Sequence, residues 1–211
     1  MRLVLASTSP SRRRILAMAG IEPFAVAPGV DETAAVAAAG ATGGEAVVQL
    51  LAEAKATAVA ARTDGDALVL GGDSAFLLDG EVLGKPHLPE VAVQRWRAMR
   101  GRTGALLSGH CLIEVRDGQV TRQAQAVSGA LVSFADVSDR EIDAYVATGE
   151  PLEVAGAFTL EGRAAAFITA VDGDPHAVVG LSVATLRLLA GELGVDWVDL
   201  VAANPIMPFT A

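Results

Sequence analysis

Apolar runs broken by short polar clusters divide the chain into segments of two periods. Leu3-Val4-Leu5-Ala6 is uniformly apolar and short, the mark of a strand buried on both faces. Ser9-Pro10 then pairs an N-cap with a residue suited to the first helical position, predicting a helix that turns Ile15, Leu16 and Met18 inward and stops at Gly20. Pro23 to Pro28 reads as a second strand, ending near the acidic pair Asp31 and Glu32. From Glu45 to Arg62 a long helix is expected, with Val47, Leu50, Leu51, Ala54 and Ala58 as its buried stripe. Ala67 to Gly71 and Ala75 to Leu78 read as strands on either side of Asp73, followed by a turn at Asp79-Gly80. Leu88 to Arg100 looks helical, with Gly101 ending it.

Two extended segments between Ala105 and Phe134 flank Asp117-Gly118, a strong hairpin signal. Ser138 with Glu141 forms a capping box for a helix carrying Ile142, Tyr145 and Val146. Strands are expected around Ala155 to Phe158 and Ala164 to Val171. Helices follow at about Leu181 to Leu193 and, more weakly, after Trp197. The tail from Asn204 to Ala211, with two prolines, reads as frayed. Strands alternating with helices define an α/β chain. No composition shift marks a boundary, so residues 1–211 read as a single domain.

Composition narrows the chemistry. A hydrophobic fraction of 52% excludes disorder, and a formal net charge of -9 argues against non-specific grip on nucleic acid or an anionic membrane. A small polyanion stays open, because a few cations can make a local positive pocket. Cys111 stands alone, so no intrachain disulfide framework exists and a reducing compartment fits. Arg2 and the stretch Ser9-Pro10-Ser11-Arg12-Arg13 interrupt any leader-like apolar run. A cytoplasmic protein is expected, without redox chemistry.

Four places have residues suited to phosphate chemistry. Ser7 to Arg14 joins hydroxyls, a helix N-terminus and arginines within one turn, where anions are stabilised by unpaired N–H groups and the helix dipole. By residue types alone, an ordinary cap with a solvated basic face explains it as well. Gly71-Gly72-Asp73-Ser74 puts a carboxylate after an apolar strand, where α/β folds place ligands, or is a plain turn. A hairpin from Asp79 would return Lys85 of Gly84-Lys85-Pro86 alongside Asp73. Lys55 interrupts the apolar ridge of the long helix, either snorkelling at the core edge or aimed into a cleft; Glu53 lies on another face and reads as exposed. His87, His110 and His176 lack metal-ligand spacing. His110-Cys111 is no nucleophilic pair, because adjacent strand residues face opposite sides. Phosphate-loop and dinucleotide glycine fingerprints are both missing.

Read in order, these segments resemble the Maf family. Its opening LASxSPRR stands here as Leu5-Ala6-Ser7-Thr8-Ser9-Pro10-Ser11-Arg12. Glu32 matches its acidic residue after the second strand, Lys55 its helix lysine, and Gly72-Asp73-Ser74 through Gly84-Lys85-Pro86 its [GA]-D-T and G-K-P motifs. Tyr145 to Pro151, Ala155-Gly156-Ala157-Phe158, and Gly173 to Leu181 are similar to its later blocks, so the likeness extends from Leu3 to about Leu200. Ser11 replaces the usual first arginine, Ser74 replaces threonine, and Glu161 stands where one subgroup has glutamine.

The resemblance implies an elongated, curved mixed sheet with flanking helices and two lobes, as in inosine triphosphate pyrophosphatases, and a homodimer. It implies hydrolysis of a nucleoside triphosphate to monophosphate and pyrophosphate. Asp73 would be the base. Ser7, Arg12, Lys55, Lys85 and Glu161 would bind substrate, with Glu161 reading the base. Magnesium or manganese would be held by Glu32 and Asp73, so whether Asp73 acts as base or as metal ligand stays open. Two rivals are a non-catalytic nucleotide sensor or division regulator, and a nucleotidyltransferase. The intact Asp73 argues against the first. The second normally carries a glycine-rich arginine-lysine signature, which is missing here.

Overall fold

The structure is a computed structural model, and it describes residues 1–206. Its centre is a seven-stranded mixed sheet. In chain order the strands are β1 (Arg2–Ala6), β2 (Phe24–Ala25), β3 (Ala67–Leu78), β4 (Glu81–Leu83), β5 (Thr103–Arg116), β6 (Gln119–Phe134) and β7 (Ile168–Gly173). Across the sheet the order is β2-β1-β3-β5-β6-β7, with β4 on the same edge of β3 as β1. Strand β1 pairs parallel with β2 and with β3, and every other strand pairing is antiparallel.

The helices are α1 (Pro10–Met18), α2 (Glu32–Ala39), α3 (Gly44–Ala60), α4 (Pro89–Met99), α5 (Asp139–Val146), α6 (Pro175–Val179), α7 (Val183–Glu192) and α8 (Trp197–Ala203). They cover the sheet on both faces, which is why β1 is apolar at every buried position. On one face α3 packs Ala52, Ala56 and Val59 against Val4, Val69, Cys111 and Ile113. On the other, α1, α7 and α8 close over Leu3, Leu5, Leu68, Leu70 and Leu112. A third cluster lies at the far end of the long strands. There Phe76, Phe134 and Phe158 meet Trp96 and Tyr145 edge to face, at centroid separations of 5.0 to 5.8 Å.

Several expectations need correction. Gly71 to Ser74 is no loop, because β3 runs unbroken from Ala67 to Leu78. Its partner β5 pairs continuously from Ala67 to Leu77, and this ladder carries the glycines in extended form. The buried face of α3 is Val48, Leu51, Ala52, Lys55, Ala56 and Val59, one position round from the expected stripe. Small Ala52 and Ala56 let the helix lie closer to the sheet than Val47 or Leu50 would allow. Met18 is 70% exposed, since α1 ends as its last turn passes the core edge. Pro23 to Pro28 contributes only the exposed pair Phe24–Ala25. Helices α2 and α6 were not expected.

Ala155–Ala157 is a 3-10 turn instead of a strand, with Gly156 at φ 71° and the Ala157 carbonyl taken by Trp96 Nε1 at 2.8 Å. Arg163–Phe167 is another 3-10 turn, so β7 starts only at Ile168. Asn204 is not frayed. Its Oδ1 accepts the Leu3 amide at 2.6 Å, and its Nδ2 donates to Leu200 O at 2.8 Å, tying the last helix to the first strand. The tail beyond Ile206 lies outside the described residues. No single helix among the described residues is long and apolar enough to cross a membrane.

The expected hairpin at Asp117-Gly118 forms, with a bulge between Glu114 and Val115. The bulge swings Thr121 towards Glu114, whose side chain is almost fully buried. Glu114 Oε2 accepts from Thr121 Oγ1 at 2.7 Å, and Arg122 grips both carboxylate oxygens at 3.0 Å. Hydrogen bonds from Arg122 and Thr121 hold the Glu114 carboxyl down at about 2. A depressed carboxyl stabilises the fold above its ordinary value and loses that contribution as pH falls through the folded one. Glu114→Gln should therefore cost about 1.5–3 kcal/mol near neutral pH. In urea unfolding the penalty should shrink as pH falls towards 2; a penalty independent of pH would show that the carboxylate charge is not what holds the bulge.

Candidate active site

The site is built around an interruption in one edge of β3. Strand β1 pairs with β3 only as far as Ala6 opposite Gly71, and β4 begins only at Phe76 opposite Leu83. Between them Gly72 to Ala75 have no partner strand on that side, leaving main-chain groups and alternating side chains at a notch. Asp73 points to the α3 face and Ser74 to the opposite one, as strand alternation requires.

On the α3 face, Lys55 is 7% exposed. Its Nζ lies 2.6 Å from Asp73 Oδ1 and 2.7 Å from Glu32 Oε1, so one ammonium bridges two carboxylates. Burial raises the Asp73 carboxyl above its ordinary range, against the opposing pull of Lys55 and Arg12. Glu32 opens α2, whose N-cap Asp31 accepts the Ala34 amide at 3.0 Å. No residue of α2 is buried, so the Lys55 contact is a main tie between its start and the sheet. The helix carrying Lys55 reaches the sheet because Gly71 and Gly109 lack side chains: a Cβ at Gly71 would lie 2.1 Å from Ala52 O, and one at Gly109 2.3 Å from Val48 O.

On the other face, Arg12 is nearly buried. It donates from Nε to Gly180 O at 2.8 Å, from Nη1 to Ser7 Oγ at 3.2 Å and from Nη2 to Ser74 Oγ at 3.1 Å. Burial lowers its proton affinity, and Asp73 and Glu32 oppose that. Ser7 Oγ also accepts the Ser9 amide at 3.1 Å, and Ser9 caps α1 as expected. Ser74 Oγ continues to Ser108 Oγ at 2.8 Å, and Ser108 donates to Ala177 O at 2.8 Å. Nearby, fully buried His110 accepts the Ser182 amide through Nε2 at 2.8 Å; burial and the Arg12 charge push it down to about 4.

Thus Ser7, Arg12, Lys55, Glu32 and Asp73 come together, with Lys55 and Arg12 on opposite faces of β3. Lys85 makes no ion pair with Asp73. It is exposed, two residues beyond the last β3–β4 pair, and makes no ion pair among the described residues; the cation beside Asp73 is Lys55. Glu161 Oε2 lies 3.5 Å from Nη1 of Arg14 on α1, and no hydrogen bond or ion pair joins Glu161 to Asp73, Lys55 or Arg12 among the described residues. Its loop is held by Glu150, which accepts the Arg163 amide at 2.9 Å. Glu53 is half-covered and accepts from Gln123 at 3.3 Å, so it is less exposed than expected. Cys111 points to the α3 side and His110 to the α7 side, as strand alternation predicts. Ser108, His110 and the Gly180 carbonyl were missed, because only the strand register and the α6–α7 turn bring them to Arg12.

The donor set suits a divalent ion only in company. Among the described residues no three His, Cys, Asp or Glu side chains gather. Glu32 Oε2 and Asp73 Oδ2 make no hydrogen bond among those residues, and two carboxylates completed by substrate phosphates are a usual magnesium shell.

A mixed α/β sheet with cations on both sides of an open strand edge defines a protein shaped for a compact polyanion. The chain belongs to the Maf family: the family model described as Maf-like protein matches residues 2–193. Among its curated relatives are proteins named nucleoside triphosphate pyrophosphatase. One from Leifsonia xyli subsp. xyli is 58% identical over 207 residues, covering 95% of this chain and 96% of that one. One from Corynebacterium jeikeium is 50% identical, covering 95% and 99%. One from Nocardia farcinica is 49% identical, covering 94% and 95%. Two solved structures are more loosely similar. The Staphylococcus aureus Ham1 protein has a TM-score of 0.42 at 13% identity, covering 64% of this chain and 73% of that one. A Mycobacterium abscessus nucleoside-triphosphatase / dITP/XTP pyrophosphatase has 0.36 at 15%, covering 79% and 93%.

The close approach of α3 yields a prediction with opposite signs. Gly71→Ala should lower stability by more than about 2 kcal/mol by overpacking against the α3 backbone. Gly191→Ala, inside α7 with open space around it, should raise stability by about 0.5–1 kcal/mol. Chemical denaturation reads both; equal small effects would mean that α3 has room to move away from Gly71.

Proposed function

We propose that this protein is a nucleoside triphosphate pyrophosphatase in which the notch in β3 is the phosphate site. The observation that carries the reading is the bridge from Lys55 to Asp73 and Glu32 with Arg12 on the opposite face of the same strand. A triphosphate laid across the strand edge would meet Lys55 on one side and Arg12 on the other. Ser7 and Ser74 would orient Arg12 and offer hydroxyls to phosphate oxygens, and exposed Lys85 is free to reach the outer phosphate.

Water attacks the α-phosphorus, forming the new P–O bond as the bond from Pα to the bridging oxygen of pyrophosphate breaks. The proton of the water passes to Asp73, whose desolvated carboxyl is more basic than an exposed one. Lys55 and Arg12 stabilise the charge developing on the leaving pyrophosphate. If Glu32 and Asp73 instead hold a magnesium or manganese ion, that ion would neutralise phosphate charge and activate the water in place of the Asp73 carboxylate. In this reading the chain acts as a two-lobed unit and a cytoplasmic homodimer, with the Asp117-Gly118 hairpin as the contact element.

Glu161 would read the base: one oxygen is towards Arg14 of α1, two residues on from Arg12, and the other has no protein partner among the described residues. A carboxylate only accepts hydrogen bonds, so it suits the paired N1–H and amine of guanine and opposes the carbonyls of uracil and thymine. The enzyme that follows is not a strict dTTP or UTP specialist, and it tolerates or prefers guanine-type nucleotides, including methylated ones.

The products should be pyrophosphate and a monophosphate, formed only with a divalent ion; orthophosphate with a diphosphate would point to a phosphatase. Asp73→Asn should cut kcat by at least about 10²-fold with nucleotide binding kept, and near-normal turnover would move the catalytic role elsewhere. For base choice, kcat/KM with GTP and 7-methyl-GTP should exceed that with UTP and dTTP. Glu161→Gln should narrow the gap. Strong selectivity for UTP or dTTP, untouched by the substitution, would remove Glu161 from base reading.

A further inference from the structure

The Arg12 guanidinium depends on a carbonyl that is itself held from behind. Gly180 lies between α6 and α7 at φ 118°, a conformation that favours glycine, and its oxygen accepts the shortest of the three side-chain hydrogen bonds of Arg12. Strand β5 ties down this segment at both ends. Before Gly180, Ser108 donates to Ala177 O; after it, the Ser182 amide donates to His110 Nε2, each at 2.8 Å. Ser108 and His110 are two residues apart on one face of β5, and both are fully buried.

We propose that His110 is a positioning residue, which holds the Gly180–Ser182 turn so that the Gly180 carbonyl orients Arg12 towards the phosphates. The inference rests on the reading of Arg12 as a phosphate-binding group. His110 is sealed from solvent and from the notch, so it takes no proton from substrate. Its Nε2 must be the unprotonated nitrogen, because it accepts the Ser182 amide. The other nitrogen, Nδ1, carries the proton and makes no close hydrogen bond among the described residues, with the Ser108 and Ala126 carbonyls its nearest acceptors. Ring volume alone would serve packing; the acceptor serves the turn.

The test compares His110→Phe, which keeps the ring and removes the acceptor, with His110→Gln, whose Oε1 sits as many bonds from Cβ as Nε2 does. His110→Phe should lower kcat by about 10- to 100-fold with KM within about threefold, as expected when a transition-state group is misplaced by an ångström. His110→Gln should stay within about threefold of wild type, and on an Arg12→Lys background His110→Phe should cause little further loss. Wild-type turnover in His110→Phe, or equal losses in both variants, overturns the proposal. Inorganic pyrophosphate carries the charge that develops on the leaving group, so calorimetric binding reads the same tether without turnover. His110→Phe should bind it at least about fivefold more weakly and His110→Gln should not. If wild type releases no pyrophosphate yet this binding pattern holds, the proposed activity fails and the tether stands; equal binding in all three proteins removes the tether. Should His110→Phe fail to fold, Ser108→Ala cuts the tether at Ala177 and is judged by the same two outcomes.

Discussion

A single ammonium, almost completely removed from water, lies between two carboxylates. Dehydrating a lysine costs several kcal/mol, and the cost is offset only by close, well-directed partners. Asp73 and Glu32 provide them, at 2.6 and 2.7 Å. This arrangement constrains the surrounding fold. Helix α3 must lie against the sheet closely enough to bring Nζ to Asp73, which Gly71 and Gly109 make possible by having no side chain under its backbone. Helix α2, with nothing buried, must be placed by its own first residue. Removing Lys55 would leave two like charges facing each other with nothing between them.

The same strand places the second half of the site. Because β3 alternates, its notch presents Asp73 to one face and Ser74 to the other, so charges on α3 and α1 meet across a single edge. Lys55 and Asp73 share one face, and Arg12 lies on the other. This division explains why the mixed topology matters to function. Pairing with parallel β1 stops at Gly71 of β3 and pairing with antiparallel β4 starts at Phe76, so the stretch between them has an open edge.

Much of this was legible along the chain. Ser9-Pro10, the Asp117-Gly118 turn and the Ser138–Glu141 box state their local structure through capping and turn chemistry, which needs no tertiary information. Lys55 stood out because a charge broke an apolar ridge. The Gly71-to-Ser74 stretch misled because two glycines and an aspartate imitate a turn, whereas here they sit in a ladder and make room for a helix. The α3 stripe was off by one position because alanines, weak in apolar pattern, are the closest contacts. Lys85 makes no ion pair with Asp73 because the β3–β4 ladder ends at Leu83, before it reaches Asp73. Ser108, His110 and Gly180 had no local signal, since each acts through the register of β5 or the turn after α6.

In the proposed reaction, water is directed at the α-phosphorus from the Asp73 side of the notch. Hydrolysis in oxygen-18 water, with both products weighed by mass spectrometry after a single turnover, tests this directly. The label should appear in the nucleoside monophosphate, with the pyrophosphate unlabelled. Label in the pyrophosphate would place the attack on the β-phosphorus and contradict the proposed arrangement of Asp73, Lys55 and Arg12 around the substrate.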